Sequence, residues 1–204
     1  MKNILIAGLL AFGLTAAAFA QGAPAINIRG VVVSLDGNVL TVGAPIGTAT
    51  TKITLAPNFR VQYIVKSSLA AITPGTFVGS AAQAQVDGTL RAIEIHVFPA
   101  GQTPGAGSRP YDLGPASSMT NGSVDTIGAT KVDKVDAHTL LLKYDGGEKT
   151  IVVTADTPIV TYEPADASAL VKGAHVNVRA TKNPDGSLSS AGVNVGKDGL
   201  VPPM

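Results

Sequence analysis

Glu94 and His96 are the two side chains of this chain best placed to do chemistry. They stand two apart on a segment that alternates as a strand does, so carboxylate and imidazole share a face and offer two ligands to Zn²⁺ or another borderline metal. Two ligands do not complete a site, and the plainer reading is a solvated or locally hydrogen-bonded pair. A second row, His175, Asn177 and Arg179, alternates with Val176 and Val178 and could grip a carboxylate, a sugar or a neighbouring module. Its plainer reading is the wet face of a half-buried strand. Tyr144 joins this row as a candidate ligand contact, the one aromatic offered by the second and third strands of either module described below. Arg109 and Tyr111, in a Gly- and Pro-rich stretch, are read as pinning that stretch to a module rather than as recognising a ligand.

The chemistry the chain lacks narrows its function. There is no cysteine, and so no thiol nucleophile and no disulfide. No Gly-x-Ser-x-Gly elbow, His-Glu-x-x-His pair or Walker-type phosphate loop occurs. The expectation is a protein that is not an enzyme and needs no cofactor, with a metal on Glu94 and His96 as the alternative. Charge excludes another class. Between residues 21 and 110 six basic side chains face three acidic ones, and beyond 110 eight face eleven, so the two halves carry +3 and −3. A nucleic-acid binder concentrates basic charge on one face, and single-strand binding adds aromatic platforms; this chain promises neither.

The elements that carry these residues are repeated. Asp87 to Val97 is answered by Asp185 to Val195, 98 positions later, and upstream Val61 and Tyr63 are matched to Val160 and Tyr162. Module one spans 27–99: Val31, Val33 and Leu35 on the inner face of a first strand, Leu40 and Val42 on a second, Ile53 and Leu55 on a third. A short helix capped by Ser67 follows, then a hairpin about Asp87-Gly88. Module two, 121–197, repeats the order, with Asp166 capping its helix and Asp185-Gly186 turning its hairpin. Residues 100–120 read as a Gly/Pro/Ser-rich linker. Three strands, a helix and two strands is the order of the OB-fold. The predicted fold is therefore all-β: two tandem five-stranded OB-like barrels, each with one short helix and each able to fold alone.

Residues 1–20 read as a cleaved signal peptide: Lys2, an apolar run from Ile4 to Leu14, and Ala18-Phe19-Ala20 before Gln21. The mature protein is expected to be periplasmic or secreted, with no transmembrane segment. On Arg29 to Val42, Pro74 to Gly79, Asp87 to Pro99, and above all Ser108-Arg-Pro-Tyr-Asp-Leu-Gly-Pro115 with Met119-Thr-Asn121, the chain resembles a family of exported proteobacterial proteins built on an OB-like domain of unknown function. Such proteins are sometimes labelled metal-transporter permeases, but nothing here forms a membrane pore. The resemblance implies export and the barrel fold, and it brings no catalytic residue. The expected role is non-catalytic binding of a small molecule or an envelope component. The alternatives are a metal-binding accessory protein and a structural or protein-interaction module of the envelope. Oligomeric state is left open.

Overall fold

A computed structural model describes residues 25–132 and 135–203; the expected signal peptide lies outside the described residues. The fold is all-β, and its strands are β1 (Ala25–Asp36), β2 (Val39–Gly43), β3 (Thr50–Lys66), β4 (Phe77–Ala84), β5 (Leu90–Val97), β6 (Gly107–Pro110), β7 (Ser117–Val132), β8 (Val135–Tyr144), β9 (Gly147–Thr154), β10 (Ile159–Ala165), β11 (His175–Lys182) and β12 (Leu188–Gly196). The two expected helices are reduced to single 3₁₀ turns, Leu69–Ala71 and Ala167–Ala169. Asp166 caps the second, accepting a bond from the Ser168 amide. The first starts at Ser68, not Ser67, with no side-chain cap bond. Among the described residues no helix is long and apolar enough to cross a membrane.

The inner face of β1 differs from the alternation predicted for it. Val32 is buried while Val33 is exposed. A bulge between Val32 and Ser34 in the pairing with β2 inserts one residue and shifts the phase, so Leu35 rejoins the core side. Sequence alternation carried without a bulge lands on the wrong face.

Strand pairing closes two five-stranded rings, and neither is a sequential module. In the first ring β1 pairs β2, β2 pairs β3, β3 runs parallel to β12, β12 pairs β11, and β11 returns to β1. In the second, β7, β8 and β9 form the meander, β9 runs parallel to β5, and β5 and β4 close back onto β7. Each ring thus takes its meander from one repeat and its hairpin from the other. The cores agree: Leu40, Val42, Ile53 and Leu55 pack with Val176, Val178, Val193 and Val195, whereas Leu140, Leu142 and Ile151 pack with Val78, Ile95 and Val97. The 3₁₀ turns travel with their hairpins, Leu170 filling the first core and Ile72 the second.

The exchange happens where the chain leaves each meander. β3 continues straight through Lys66 instead of bending, and its last six residues pair antiparallel with β10, Val61 opposite Ala165 and Lys66 opposite Val160. Asn194 lies against Gln62 and His96 against Val160, the same displacement of 98 on both strands. The repeat partner of Tyr162 is therefore Ile64, not the Tyr63 that sequence similarity suggested. Phe77 lies opposite Ser123 and His175 opposite Val31, so β7 is displaced from β1 by 92.

That offset pairs Gly30 with Gly122, and both glycines answer one constraint. A Cβ at Gly30 would sit 2.0 Å from the Gly43 carbonyl oxygen, and one at Gly122 would sit 2.6 Å from that of Lys143. The neighbouring strand crosses too close for any side chain. Either Gly→Ala change should cost about 2 kcal/mol through overpacking, lowering Tm by roughly 4–8 °C. Gly192→Ala, whose nearest contact would be at 3.6 Å, should leave the melt unchanged. Thermal denaturation of the three variants checks the pair against its control.

Candidate functional site

The β3–β10 ladder joins the two rings, and a cleft of about 560 Å³ opens beside it. Both members of three repeat-equivalent pairs line it: Asn27 and Met119, Gly79 and Asn177, His96 and Asn194. The cleft therefore lies on the local two-fold relation between the repeats, and the residues lining it differ between the two copies. A duplication that preserves its cores has diverged here.

His96 lines the cleft with Glu94 behind it, and β5 carries both on the side away from the second core while Ile95 and Val97 point into that core. On a lone barrel that side would be wet. Here Tyr162 of β10 stacks on His96 with Phe98 beside it, and Glu94 and His96 are 0% and 1% exposed, so of the expected solvated or locally hydrogen-bonded pair the solvated form is overturned. His96 Nδ1 lies 2.9 Å from Glu94 Oε1. The contact is misaligned for a hydrogen bond, and both carboxylate oxygens and both ring nitrogens are buried without one. The His96 ring stacks on Tyr162 at 5.1 Å, and Tyr162 on Phe98 at 5.5 Å. Burial first, then the charge of Glu94, pushes the Tyr162 hydroxyl well above its ordinary pKa, so it stays a neutral donor.

Two cations line the same cleft. Arg179 projects from β11 and Arg109 from β6. Burial, and then the like charge of Arg179, hold the Arg109 guanidinium below its usual value. Among the described residues neither guanidinium has a carboxylate within ion-pair reach. Arg109 donates a hydrogen bond to the Gly105 carbonyl at 3.2 Å.

The stretch read as a linker is a strap across this cleft. β6 pairs with the start of β7, Gly107 opposite Asn121 and Pro110 opposite Ser118. Asn121 Nδ2 donates to the Pro104 carbonyl at 2.9 Å. That bond fixes the amide orientation, because a flipped amide would set oxygen against oxygen. At the far end Arg29 donates to both Asp112 oxygens, at 2.7 and 3.0 Å, and its guanidinium lies 5.8 Å from the Tyr111 ring centroid. The strap thus ties β7 of one ring to β1 of the other, as expected of Tyr111 in its pinning role. Arg29 hydrogen bonding holds the Asp112 carboxyl below its usual range. The latch therefore contributes above the ordinary carboxyl pKa and is lost as pH falls through the lowered one. Half-exposed, it adds little to global stability.

Of the predicted ligand contacts, Asn177 and Arg179 line the cleft beside His96, and Glu94 lies behind His96. His175 pairs with Val31 at the start of β11, and Tyr144 pairs with Gly147 at the β8–β9 turn; both lie outside the cleft lining. His138 sits on β8, and among the described residues no three His, Cys, Asp or Glu side chains gather as a metal cluster. Sequence reading missed Phe98, Tyr162, Asn27 and Asn194, and took Asn121 only as part of a linker word. A signal was available for some of them: the words most specific to the chain, Ser108 to Pro115 and Met119 to Asn121, supply Arg109, Tyr111, Met119 and Asn121 to the lining. Comparison with protein families, curated proteins and solved structures gives no match to this chain.

Proposed function

We propose that this is an exported, non-catalytic binding protein that holds a small anionic molecule in the cleft between two OB-like barrels. The observation that carries this reading is the pair Arg109 and Arg179, two guanidiniums that line one cleft and that, among the described residues, have no carboxylate within ion-pair reach. Like charges converging on a concave site are stabilised when an anion joins them, and a guanidinium fork suits carboxylate or phosphate. Amide side chains and an aromatic wall complete a lining typical of small-molecule sites, and the volume lies in the usual range. The order meander, 3₁₀ turn and hairpin, with a parallel closing pair, supports the OB-like reading of each ring. Export rests on the character of residues 1–20.

The metal-accessory reading retains Glu94 and His96, but it finds two donors that already face each other. In metal sites a carboxylate on one imidazole nitrogen commonly orients the histidine rather than binding the ion. The structural-module reading would leave the two cations without a role.

Native mass spectrometry of protein recovered from its own compartment tests all three. The expected spectrum carries a small-molecule adduct that disappears in the Arg109→Ala/Arg179→Ala double variant. A stoichiometric metal mass abolished by His96→Ala would replace this reading with the metal one. A bare chain accompanied by a protein partner would replace it with the structural one.

A further inference from the structure

We infer that Asp112 is a positioning residue for the cleft: its latch to Arg29 and a bound anion close the strap on the first ring together, so that each strengthens the other. This rests on the cleft being an anion site and adds how that site is held shut.

The strap is fastened unequally to the two rings. Toward the second ring it is tied along its length. β6 pairs four residues with β7, Ser108 Oγ and Thr120 Oγ1 lie 2.9 Å apart, the Ser117 hydroxyl donates to the Tyr111 carbonyl at 2.8 Å, and Gln83 donates to the Pro115 carbonyl at 3.3 Å. Toward the first ring the ties gather on one carboxylate. Asp112 accepts two bonds from Arg29 and a third from Asn27 Nδ2 at 3.2 Å, both side chains of β1. The Asp112 side chain is 45% exposed and that of Arg29 26%, so water competes for these bonds and the latch opens readily.

The two cations stand on either side of the same gap. Arg109 belongs to the strap and Arg179 to β11 of the first ring, and both line the cleft. Their mutual repulsion pushes the strap away from the ring, and the latch opposes that push. An anion between them turns the repulsion into a second tie across the gap. A site assembled from both walls binds with an affinity scaled by its closed fraction, so whatever favours closure favours the anion, and the anion returns the same coupling to the latch.

Asp112 lies outside the cleft lining, whereas its neighbour Tyr111 and its partner Asn27 are part of it. Its charge gives the inference a sign. As a bystander carboxylate beside an anion site it would repel the ligand, and its removal would tighten binding. As a latch it assists the ligand, and its removal weakens binding.

Isothermal titration calorimetry of the intact chain with sulfate and with acetate, neither of which titrates near neutral pH, reads that sign. Asp112→Asn keeps the size of the side chain and should leave the melt unchanged while weakening the anion by roughly fivefold. Asp112→Glu retains the charge that Arg29 grips and should recover most of that loss. Arg179→Ala should weaken the anion by roughly ten- to a hundredfold. Hydrogen exchange supplies an independent reading: amides of residues 104–112 should exchange faster in Asp112→Asn than in the unaltered chain, and the anion should slow them in both. If Asp112→Asn binds the anion as well or more tightly while Arg179 still matters, or leaves strap exchange untouched, the latch falls and the anion cleft stands. If neither anion binds or slows strap exchange in the unaltered chain, both fall.

Discussion

Cut within the strap between Gly101 and Gly105, the chain should yield two halves of which neither folds as a monomer, and mixing them should restore the native fold. Residues 25–101 hold a meander, β1 to β3, whose ring is closed by β11 and β12, and a hairpin, β4 and β5, whose meander is β7 to β9. Each half alone exposes the edges of an unclosed ring, and its Val, Leu and Ile side chains lose the partners that bury them. The expected loss is the entire folding free energy, on the order of 5–15 kcal/mol for a domain of ordinary stability. A half could escape by dimerising with itself through the same exchange, because the repeats share their register. Circular dichroism with sedimentation decides the matter. Disordered or dimeric halves that combine one to one support the exchange; two well-folded monomeric halves would show that β3 can bend at Val61–Lys66 and close each module on itself, and would overturn it.

The sequence carried the strands and the repeat but not the exchange, and the reason is physical. A hairpin packed into its own module or into its neighbour makes the same contacts in the same register, so alternation and turn chemistry read identically in both cases. Only the hinge differs, and the Val61–Lys66 run of alternating strand-forming residues is silent on whether the chain bends or continues. The bulge after Val32 was hidden for a related reason: one extra residue leaves composition intact and moves Val33 outward. Glu94 and His96 were found by type and spacing. Their burial was not, because it comes from Tyr162 of β10, with Phe98 beside it, lying over a strand face that a single barrel would leave in water. Tyr162 escaped notice because the sequence match aligned it with Tyr63, whereas the ladder aligns it with Ile64. His175 and Tyr144 were reasonable by type, but they sit at strand ends away from the junction. The cleft is built from two repeats at once, so no reading of one module could assemble it.

The second large effect is expected at the buried pair itself. His96→Leu keeps an apolar group of similar bulk against Tyr162 but leaves the Glu94 carboxyl buried without its polar neighbour. Stranding a buried polar group costs about 1–3 kcal/mol, because it is neither solvated nor paired. For a chain of this size that lowers Tm by roughly 2–10 °C. Glu94→Leu added to His96→Leu should recover more than half of the loss, since replacing both members by apolar groups removes the stranded group along with the pair. The two substitutions are then coupled by about 1 kcal/mol in a double-mutant cycle, as expected for groups 2.9 Å apart. The repeat offers a natural comparison: Gly192 and Asn194 occupy the equivalent strand positions, carry no charge, and lie against Arg60 and Gln62 of β3. Thermal and urea denaturation of the two single variants and the double variant supply the cycle. If the single and double variants melt together, the carboxylate is not confined as its burial indicates, and Glu94 and His96 act as independent side chains.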